Sequence, residues 1–264
     1  MRSAVVSEMD NRFKVQQQFD RQAAFYRTDP VFDNPSGLKQ LTALARASAT
    51  DSALDVATGC GHMALALAST CATTIGSDIS DGMLRQAKLL ARERGLEDRV
   101  HWVRADVERT PFADRSFNIV TCRVAAHHFV NPRAFLAESW RLLKRGGRLA
   151  LQDCGAPAHS AAADFLEHVE KERDSSHAAL LSEGKWKELI AAEGFAIQSL
   201  RFESHRHDYN SWMIRAGVSE TKANVIWKSF LDNPPAVREI FRPEESDGVR
   251  TFNYWRITSV GVKN

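Results

Sequence analysis

The stretch LDVATGCGHMALALA, residues 54–68, contains the features that decide the fold. Its short apolar run holds one acid, Asp55, and ends in a turn with Gly59 and Gly61, after which the pattern becomes helical. Glycine allows a tight turn and lets a ligand approach the backbone, because no Cβ stands in the way. A strand, a glycine turn and a helix in this order are typical of an open α/β sheet, whose ligand crevice lies at the carboxyl ends of its strands.

Strand and helix patterns alternate from about residue 53 to residue 153. Apolar strand patterns, separated by segments of helical periodicity, occur at residues 53–57, 73–79, 99–106, 116–122 and 147–153. The helix before the last of these strands is predicted to end at the glycine pair 146–147. Strands joined by helical crossovers predict a parallel sheet with helices on both faces, so the predicted fold class is α/β.

Composition and charge exclude several classes of protein. The 264 residues are 44% apolar and 26% charged, and a formal net charge of +2 gives no reason to expect nucleic acid as a partner. Charged residues interrupt each apolar stretch before the ~18 residues that a membrane span needs. Acids near the start argue against a signal peptide, so we expect a cytoplasmic protein. The four cysteines form no C-x-x-C pair, and we expect reduced thiols.

Two further acids stand at the ends of predicted strands. Asp78 lies 19 residues after Gly59, close to the ~20-residue offset at which an acid binds ribose hydroxyls, and Asp106 ends the third strand pattern. Carboxylates at a sheet's carboxyl edge can accept hydrogen bonds from a sugar or a base. Together with Asp55, these acids predict a nucleoside ligand. A helix N-cap is the alternative role for Asp78, which precedes ISDGML.

The class of nucleoside depends on Asp55. Residues 59–64, GCGHMA, also match the pattern G-x-G-x-x-A, so a nicotinamide dinucleotide is an alternative ligand. An acid four residues before Gly59 should lie beneath the turn. There it would repel a pyrophosphate and attract a cationic amino-acid tail.

The motif set resembles that of the class I S-adenosylmethionine-dependent methyltransferases, in the small-molecule branch that includes the ubiquinone/menaquinone C-methyltransferases. The matching segments are FDRQAAFY, LDVATGCG, GSDISDGML, RADVERTPFADRSFNIVTCRVAAHHF and ESWRLLKRGGRLAL. The resemblance implies a Rossmann-like, mostly parallel sheet of seven strands with a terminal antiparallel strand. It also implies a helical N-terminal lid over residues 1–50 and a cofactor-binding core over residues 51–155. The C-terminal part, residues 156–264, would contain the last strands of the sheet and a helical insertion that caps the substrate pocket.

The resemblance also implies roles for individual residues. Asp78 would bind both ribose hydroxyls, Asp106 would accept from the adenine amino group, and Tyr26 would belong to the lid. The segment Cys122–Arg123 would lie beside the aminoacyl group. The full implied set of cofactor-binding residues is Tyr26, Asp55, Ala57, Thr58, Gly59, Gly61, Asp78, Ile79, Met83, Ala105, Asp106, Val107, Cys122 and Arg123.

Three positions depart from the family pattern. Ala57 replaces the first glycine of the turn motif, Asn118 replaces an aspartate after Phe117, and Arg145 replaces a proline before the glycine pair. None of these changes removes a carboxylate that would contact the cofactor.

The implied function is the transfer of a methyl group from S-adenosylmethionine to a small organic acceptor, in quinone or secondary-metabolite biosynthesis, with S-adenosylhomocysteine as product. Three alternatives stay open: an enzyme that uses the bound sulfonium for cyclisation or rearrangement, an NAD(P)-dependent oxidoreductase, and a non-catalytic regulatory subunit. We expect neither a nucleic-acid partner nor a membrane span, and a homodimer is left open.

Histidines and aromatic residues are the candidates for acceptor chemistry. His127 or His128, in AAHHF after the fourth strand pattern, could act as a base, or both could support the pocket wall. Candidate substrate residues are Tyr26, His128, Trp186 and Trp212, although core packing would explain the tryptophans equally well. No metal site is predicted, because the remaining histidine spacings fit no standard ligand set: His159, His177, His205 and His207.

Overall fold

The computed structural model describes residues 2–264, with side chains described from residue 11 onward. Within this range the chain forms eight strands: β1 Ser52–Val56, β2 Thr73–Asp78, β3 Val100–Arg104, β4 Phe117–Arg123, β5 Leu143–Gly155, β6 Phe195–Asp208, β7 Glu244–Ser246 and β8 Val249–Lys263. The helices are α1 Arg2–Thr28, α2 Pro35–Leu44, α3 His62–Ala68, α4 Asp81–Glu93, α5 Pro132–Leu142, α6 Ser160–Arg173, α7 Glu183–Ala192, α8 Tyr209–Arg215, α9 Glu220–Asp232 and α10 Pro235–Phe241. None of the described helices is both long enough and apolar enough to cross a membrane.

The strands form a single sheet in the order β3-β2-β1-β4-β5-β8-β6. Strands β1 to β5 pair in parallel, whereas β8 runs antiparallel to both β5 and β6. The predicted α/β fold with a mostly parallel sheet and a terminal antiparallel strand is therefore confirmed. Since β2 and β3 extend to one side of β1 and β4 and β5 to the other, the crossovers diverge at β1 and β4 and leave a crevice at their carboxyl ends.

The sheet has one strand more than predicted. Strand β7 forms a short hairpin with β8, and its two turn residues, Asp247 and Gly248, both have positive φ, 51° and 78°. Asp-Gly is a preferred pair for a two-residue hairpin turn with this geometry, because glycine and aspartate tolerate positive φ well. The Asp-Gly pair was visible in the sequence, but it followed a segment with mainly helical patterns, and the hairpin was not predicted.

The prediction that the helix before β5 reaches the glycine pair is wrong. Helix α5 ends at Leu142, and Leu143 is already extended, with φ −75° and ψ 139°. Leu143 pairs with Phe117 of β4, and the register then shifts before Ile119 pairs with Arg148. Pairing with β4 therefore ends the helix earlier than the local sequence indicates.

Helix α1 packs across the start of α4 and is tied to it by one side chain. Asp20 accepts hydrogen bonds from the backbone N–H of Gly82 at 2.7 Å and from the Ser80 hydroxyl at 2.6 Å. A Cβ on Gly82 would come within 2.9 Å of the Asp20 Cα, so the close approach depends on this glycine. Of the apolar positions on the cleft face of α1, Phe19 and Tyr26 line the crevice.

Glycine also permits the close contact between β2 and β3. A Cβ on Gly76 would lie 2.5 Å from the ring of Trp102, whereas a Cβ on Gly184 in α7 would meet open space. We expect Gly76→Ala to lower the free energy of unfolding by about 1–3 kcal/mol, because the indole must move or strain. Gly184→Ala, the matched control, should be neutral or slightly stabilising. Denaturant unfolding measures both. A penalty for Gly76→Ala that persists in a Trp102→Leu background would contradict this explanation.

Candidate functional site

A cleft of about 1080 Å³, including its opening to solvent, lies beside α1 at the carboxyl ends of β1, β2, β3 and β4. It brings together most of the residues for which the sequence predicts cofactor contacts: Tyr26, Asp55, Ala57, Thr58, Gly59, Asp78, Ile79, Met83, Ala105, Asp106, Val107 and Arg123. These residues come from five separate segments of the chain, so the parallel sheet is what places them around one space.

The turn after β1 has an unusual backbone that its sequence makes possible. Ala57, Gly59 and Gly61 all have positive φ, of 48°, 55° and 84°. A Cβ at Gly59 would meet nothing within 4 Å, because this residue faces the cleft, whereas a Cβ at Gly61 would lie 2.4 Å from the Trp102 ring. Gly61 does not line the cleft. Its packing against Trp102 thus accounts for this glycine without a ligand.

Asp55 lies beneath the turn and is 1% exposed. Its carboxylate accepts hydrogen bonds from the hydroxyls of Thr121 at 2.6 Å and Thr58 at 2.5 Å. Burial raises the pKa of Asp55 to about 6, although both threonines and the charge of Arg123 favour the ionised form. The carboxylate forms no ion pair with any described side chain, so its charge is only partly compensated.

Asp78 links the ends of β1 and β2. Its carboxylate accepts from the backbone N–H of Gly59 at 2.8 Å and from that of Ser80 at 2.9 Å. Burial raises the pKa of Asp78 to about 6. The N-cap of α4 is Ser80, whose hydroxyl accepts from the N–H of Met83 at 3.0 Å. Asp78 is therefore not the N-cap of α4, and the alternative role considered for it is wrong.

Asp106 lies two residues beyond β3, at the rim of the cleft. Its carboxylate accepts from the N–H of Glu108 at 3.0 Å and pairs with Arg12 of α1, at 3.2 Å from Nε. Arg12 also pairs with Glu108 at 2.5 Å. These ion pairs connect α1 to the segment that follows β3, in addition to its contact with α4.

Arg123 ends β4 and contributes a partly buried cation to the cleft wall. Its guanidinium donates to the backbone carbonyls of Phe32 at 3.0 Å and Val31 at 3.2 Å, and to the side chain of Gln152 at 3.2 Å. Among the described side chains, no carboxylate lies within 4.0 Å of it. Burial lowers the pKa of Arg123 to about 10, despite the charge of Asp55. The preceding residue, Cys122, is fully buried on the opposite face of the strand and does not line the cleft.

The two consecutive histidines occupy different environments. His128 lines the cleft, whereas His127 does not. His127 is held by Asp153, whose carboxylate lies 2.7 Å from Nδ1 and 2.8 Å from the backbone N of His127. Burial is the largest influence and opposes protonation of His127, but the Asp153 charge, the hydrogen bond to Asp153 and the Glu170 charge together outweigh it, so the pKa of His127 is raised.

Neither predicted substrate tryptophan reaches the cleft. Trp186 of α7 is buried in the main hydrophobic core beside the sheet, and Trp212 of α8 is buried in the separate core of the helical insertion. The other aromatic residues of the insertion, Trp227, Phe230 and Phe241, pack in that second core. Core packing, which was the alternative role considered for the tryptophans, thus explains why these aromatic residues are present.

The histidines considered as metal ligands lie in separate interactions. His159 caps α6, His177 pairs with Glu167 at 3.1 Å, and His205 and His207 each accept a hydrogen bond from an arginine. One trio within the described residues, His127, Asp153 and Cys154, has its potential ligand atoms within 4.8 Å of one another. The 2.7 Å contact between His127 and Asp153 is a hydrogen-bond distance, which leaves no room for an ion between the two atoms.

The cleft also has lining residues that sequence reasoning missed. Several lie on one face of α1, with Asn11, Val15 and Phe19 spaced four residues apart, and this helical periodicity was the available signal. The others depend on how loops fold toward the cleft. The residues that were missed are Asn11, Arg12, Val15, Phe19, Phe32, Cys60, His62, Met63, Glu108, Val124, Ala125, Phe129 and Val130.

Comparison with known proteins identifies the family. Residues 54–151 match the family described as a methyltransferase domain. The chain is 35% identical over 200 residues to the uncharacterized methyltransferase YcgJ of Bacillus subtilis, an overlap that spans 76% of this chain and 79% of the relative. The demethylmenaquinone methyltransferase of Clavibacter sepedonicus is 38% identical, but over 39% of this chain and 41% of its own.

Solved structures agree with the sequence relatives. The crystal structure of a protein from Bacillus halodurans C-125 described as a methyltransferase superposes with a TM-score of 0.82, at 34% identity, over 86% of this chain and 99% of that one. The crystal structure of YcgJ gives a TM-score of 0.81 at 30% identity, over 87% and 98% of the two chains. The chain belongs to the class I S-adenosylmethionine-dependent methyltransferases.

Proposed function

We propose that the protein binds S-adenosylmethionine in this cleft and transfers the methyl group to a small organic acceptor in quinone or secondary-metabolite biosynthesis, leaving S-adenosylhomocysteine. One observation carries the proposal. Two buried carboxylates, Asp55 and Asp78, and one partly buried guanidinium, Arg123, line the same cleft, and none of them has an oppositely charged partner among the described side chains. A ligand with both a cationic and an anionic group would compensate these charges.

The chemistry of the ligand matches the order of these groups. Asp55 and Arg123 would bind the ammonium and carboxylate of the amino-acid tail, and Asp78 would accept from the ribose hydroxyls. Met83 and Ile79 would pack against the adenine, and Asp106 would accept from its amino group. When bound, S-adenosylmethionine supplies an electrophilic methyl group on a sulfonium, and the protein then mainly has to align an acceptor and exclude water.

A dinucleotide fits these residues less well. Dinucleotide sites use the free N–H groups of the glycine turn for the pyrophosphate. Here the N–H of Gly59 already donates to Asp78, and that of Gly61 donates to the Thr58 carbonyl at 2.9 Å. The carboxylates around the turn would also repel phosphate groups.

The acceptor is proposed to be small because α1 covers the cleft. Beyond the cofactor residues, the wall combines apolar side chains, including Phe19, Phe129 and Val130, with polar ones, which are Asn11, Arg12, His62, Glu108 and His128. Burial raises the pKa of Tyr26 to about 12, so its hydroxyl stays protonated and can donate a hydrogen bond. Release of S-adenosylhomocysteine that depends on an added acceptor would separate methyl transfer from a cyclisation or rearrangement at the same cofactor.

The ribose assignment is tested by Asp78→Ala. Loss of two charge-assisted hydrogen bonds should weaken binding of S-adenosylmethionine roughly 100-fold or more, measured by isothermal titration calorimetry. The control is Asp81→Ala, because Asp81 lies three residues further on in an exposed pair with Arg104 and should leave affinity unchanged. Unchanged affinity in Asp78→Ala, or tighter binding of NAD than of S-adenosylmethionine by the unaltered protein, would contradict the proposal.

The carboxylate assignment is tested by Arg123→Gln. This variant should bind S-adenosylmethionine and S-adenosylhomocysteine at least about tenfold more weakly, because it removes a charge-assisted contact. Affinity for 5′-methylthioadenosine, which lacks the amino-acid tail, should stay the same. Arg123→Lys keeps the cation and should fall between the two. An equal loss for all three ligands would mean that Arg123 only supports the Val31–Phe32 loop.

Asp55 should destabilise the ligand-free protein at neutral pH. Its pKa is raised from 3.8 to about 6, and one pKa unit corresponds to about 1.4 kcal/mol, so the buried charge costs roughly 3 kcal/mol. In Asp55→Asn the amide oxygen can accept from one threonine hydroxyl and the amide N–H can donate to the other, so the variant should be more stable than the parent above pH 6. The difference should shrink as the pH falls from about 6 through 3.8 and disappear below about pH 3, where Asp55 is protonated in both the folded and the unfolded state. Denaturant unfolding across this range would refute the idea if the difference were constant.

A further inference from the structure

His128 forms part of the cleft wall close to α1. Its ring contacts the edge of Phe19, with ring centroids 4.9 Å apart, and its backbone carbonyl accepts from the side chain of Asn11 at 3.1 Å. The residue is 7% exposed. The neighbouring His127 faces Asp153 instead, so of the two histidines only His128 is in a position to meet an acceptor.

The hydrogen bonds of His128 identify which ring nitrogen carries the proton. Nδ1 lies 3.1 Å from the backbone carbonyl oxygen of Ser176. A carbonyl can only accept, so Nδ1 must donate, and in the neutral ring Nε2 then has the free lone pair. Among the described side chains, Nε2 has no hydrogen-bond partner. It also does not belong to the unpaired polar atoms that the protein encloses completely, so part of its surface is open. Nε2 is thus the nitrogen left for the cleft.

A buried turn holds the Ser176 carbonyl in place. The Asp174 carboxylate accepts from both the backbone N–H of Ser176, at 2.8 Å, and its hydroxyl, at 2.6 Å. Asp174 is 3% exposed and Ser176 is fully buried. Because the Ser176 hydroxyl donates to Asp174, its oxygen can only accept from His128 Nδ1, which lies 3.2 Å away. Both contacts with Ser176 therefore favour the same tautomer.

We propose that His128 Nε2 removes the proton of the methyl acceptor, that Asp174 and Ser176 are positioning residues for this tautomer, and that the acceptor is a nucleophile bearing an O–H or N–H group. This inference rests on the proposed function. An acceptor without such a proton, such as a thioether or a tertiary amine, would leave Nε2 unpaired in the cleft.

The step balances in atoms and charge. The acceptor's lone pair forms a bond to the methyl carbon, and the carbon–sulfur bond breaks with its electron pair staying on sulfur. The O–H or N–H proton passes to His128 Nε2, and from there to solvent when the product leaves. The positive charge of the sulfonium thus ends on the imidazole and then in solution.

The charges around His128 decide when the proton moves. Burial, followed by the charge of His127, holds the pKa of His128 far below its usual range, and His177 acts in the same direction, while Asp174 opposes them. From α1, the uncharged Phe19 contacts the ring and the uncharged Asn11 donates to the backbone carbonyl of His128. Such a weak base cannot ionise an alcohol or phenol in advance, so the proton moves as the new bond to the methyl group forms and acidifies it.

Nitrogen NMR of the protein labelled with ¹⁵N-histidine, with S-adenosylhomocysteine bound, tests the proposal. The His128 resonances are assigned by their loss in His128→Gln. We expect Nδ1 protonated and Nε2 unprotonated from about pH 8 to pH 5. A protonated Nε2, or titration near pH 6.5, would overturn the proposal. If S-adenosylhomocysteine does not bind at all, the proposed function fails instead.

A substitution tests the positioning role. In Asp174→Ala the turn loses the oxygen that accepts both hydrogen bonds from Ser176. The His128 Nε2 resonance should then move toward that of a protonated nitrogen as the second tautomer becomes populated. Asp174→Asn retains an acceptor for the turn and should shift less. The control is Asp164→Ala, at an exposed site on α6. An Nε2 resonance that is unchanged in Asp174→Ala would show that Asp174 has no positioning role.

Phenol and anisole test the acceptor class, because anisole carries a methyl group in place of the hydroxyl proton that the proposal requires. Added in excess to the S-adenosylhomocysteine complex, phenol should shift the Nε2 resonance of His128, and anisole should not. Equal shifts with both probes, or no shift with phenol, would contradict the requirement for an O–H or N–H group.

Discussion

The hydrogen bond from the Gly59 N–H to the Asp78 carboxylate is the contact on which the cleft depends. It joins the turn after the first strand to the end of the second, and it occupies the N–H that a pyrophosphate would need. Because the carboxylate is buried, its charge is costly, and that cost falls when a ligand donates hydrogen bonds to it. The same interaction therefore shapes the turn and, in the proposed function, favours a ligand that donates hydrogen bonds over one that carries a pyrophosphate.

Helix α1 completes the cleft by polar contacts at several points along its length. Asp20 binds the start of α4, Arg12 pairs with Asp106 and Glu108, and Asn11 binds the backbone at His128. These contacts join α1 both to the segments after β2 and β3 and to the histidine segment after β4. A helix that covers a cleft in this way reduces its contact with water, which strengthens electrostatic interactions within it.

Local patterns predicted the repeating part of the fold well, because each crossover carries its own apolar periodicity. The limits of such reasoning appear at particular residues. Leu143 becomes part of β5 because it pairs with Phe117, although the sequence around it favours a helix. Trp186 and Trp212 looked like pocket residues, but an aromatic side chain serves a core equally well, and the sequence contains no sign of which space it fills.

The sequence by itself determined the sheet, the glycine turn and the acids at the strand ends, since these features depend on neighbours close along the chain. Only the tertiary structure decided which histidine faces the cleft and which of its nitrogens is free, because Ser176 lies 48 residues from His128. It also decided that Arg123 lacks a carboxylate partner and that Arg12 reaches Asp106. Such contacts join distant segments, and their geometry depends on packing that local periodicity does not encode.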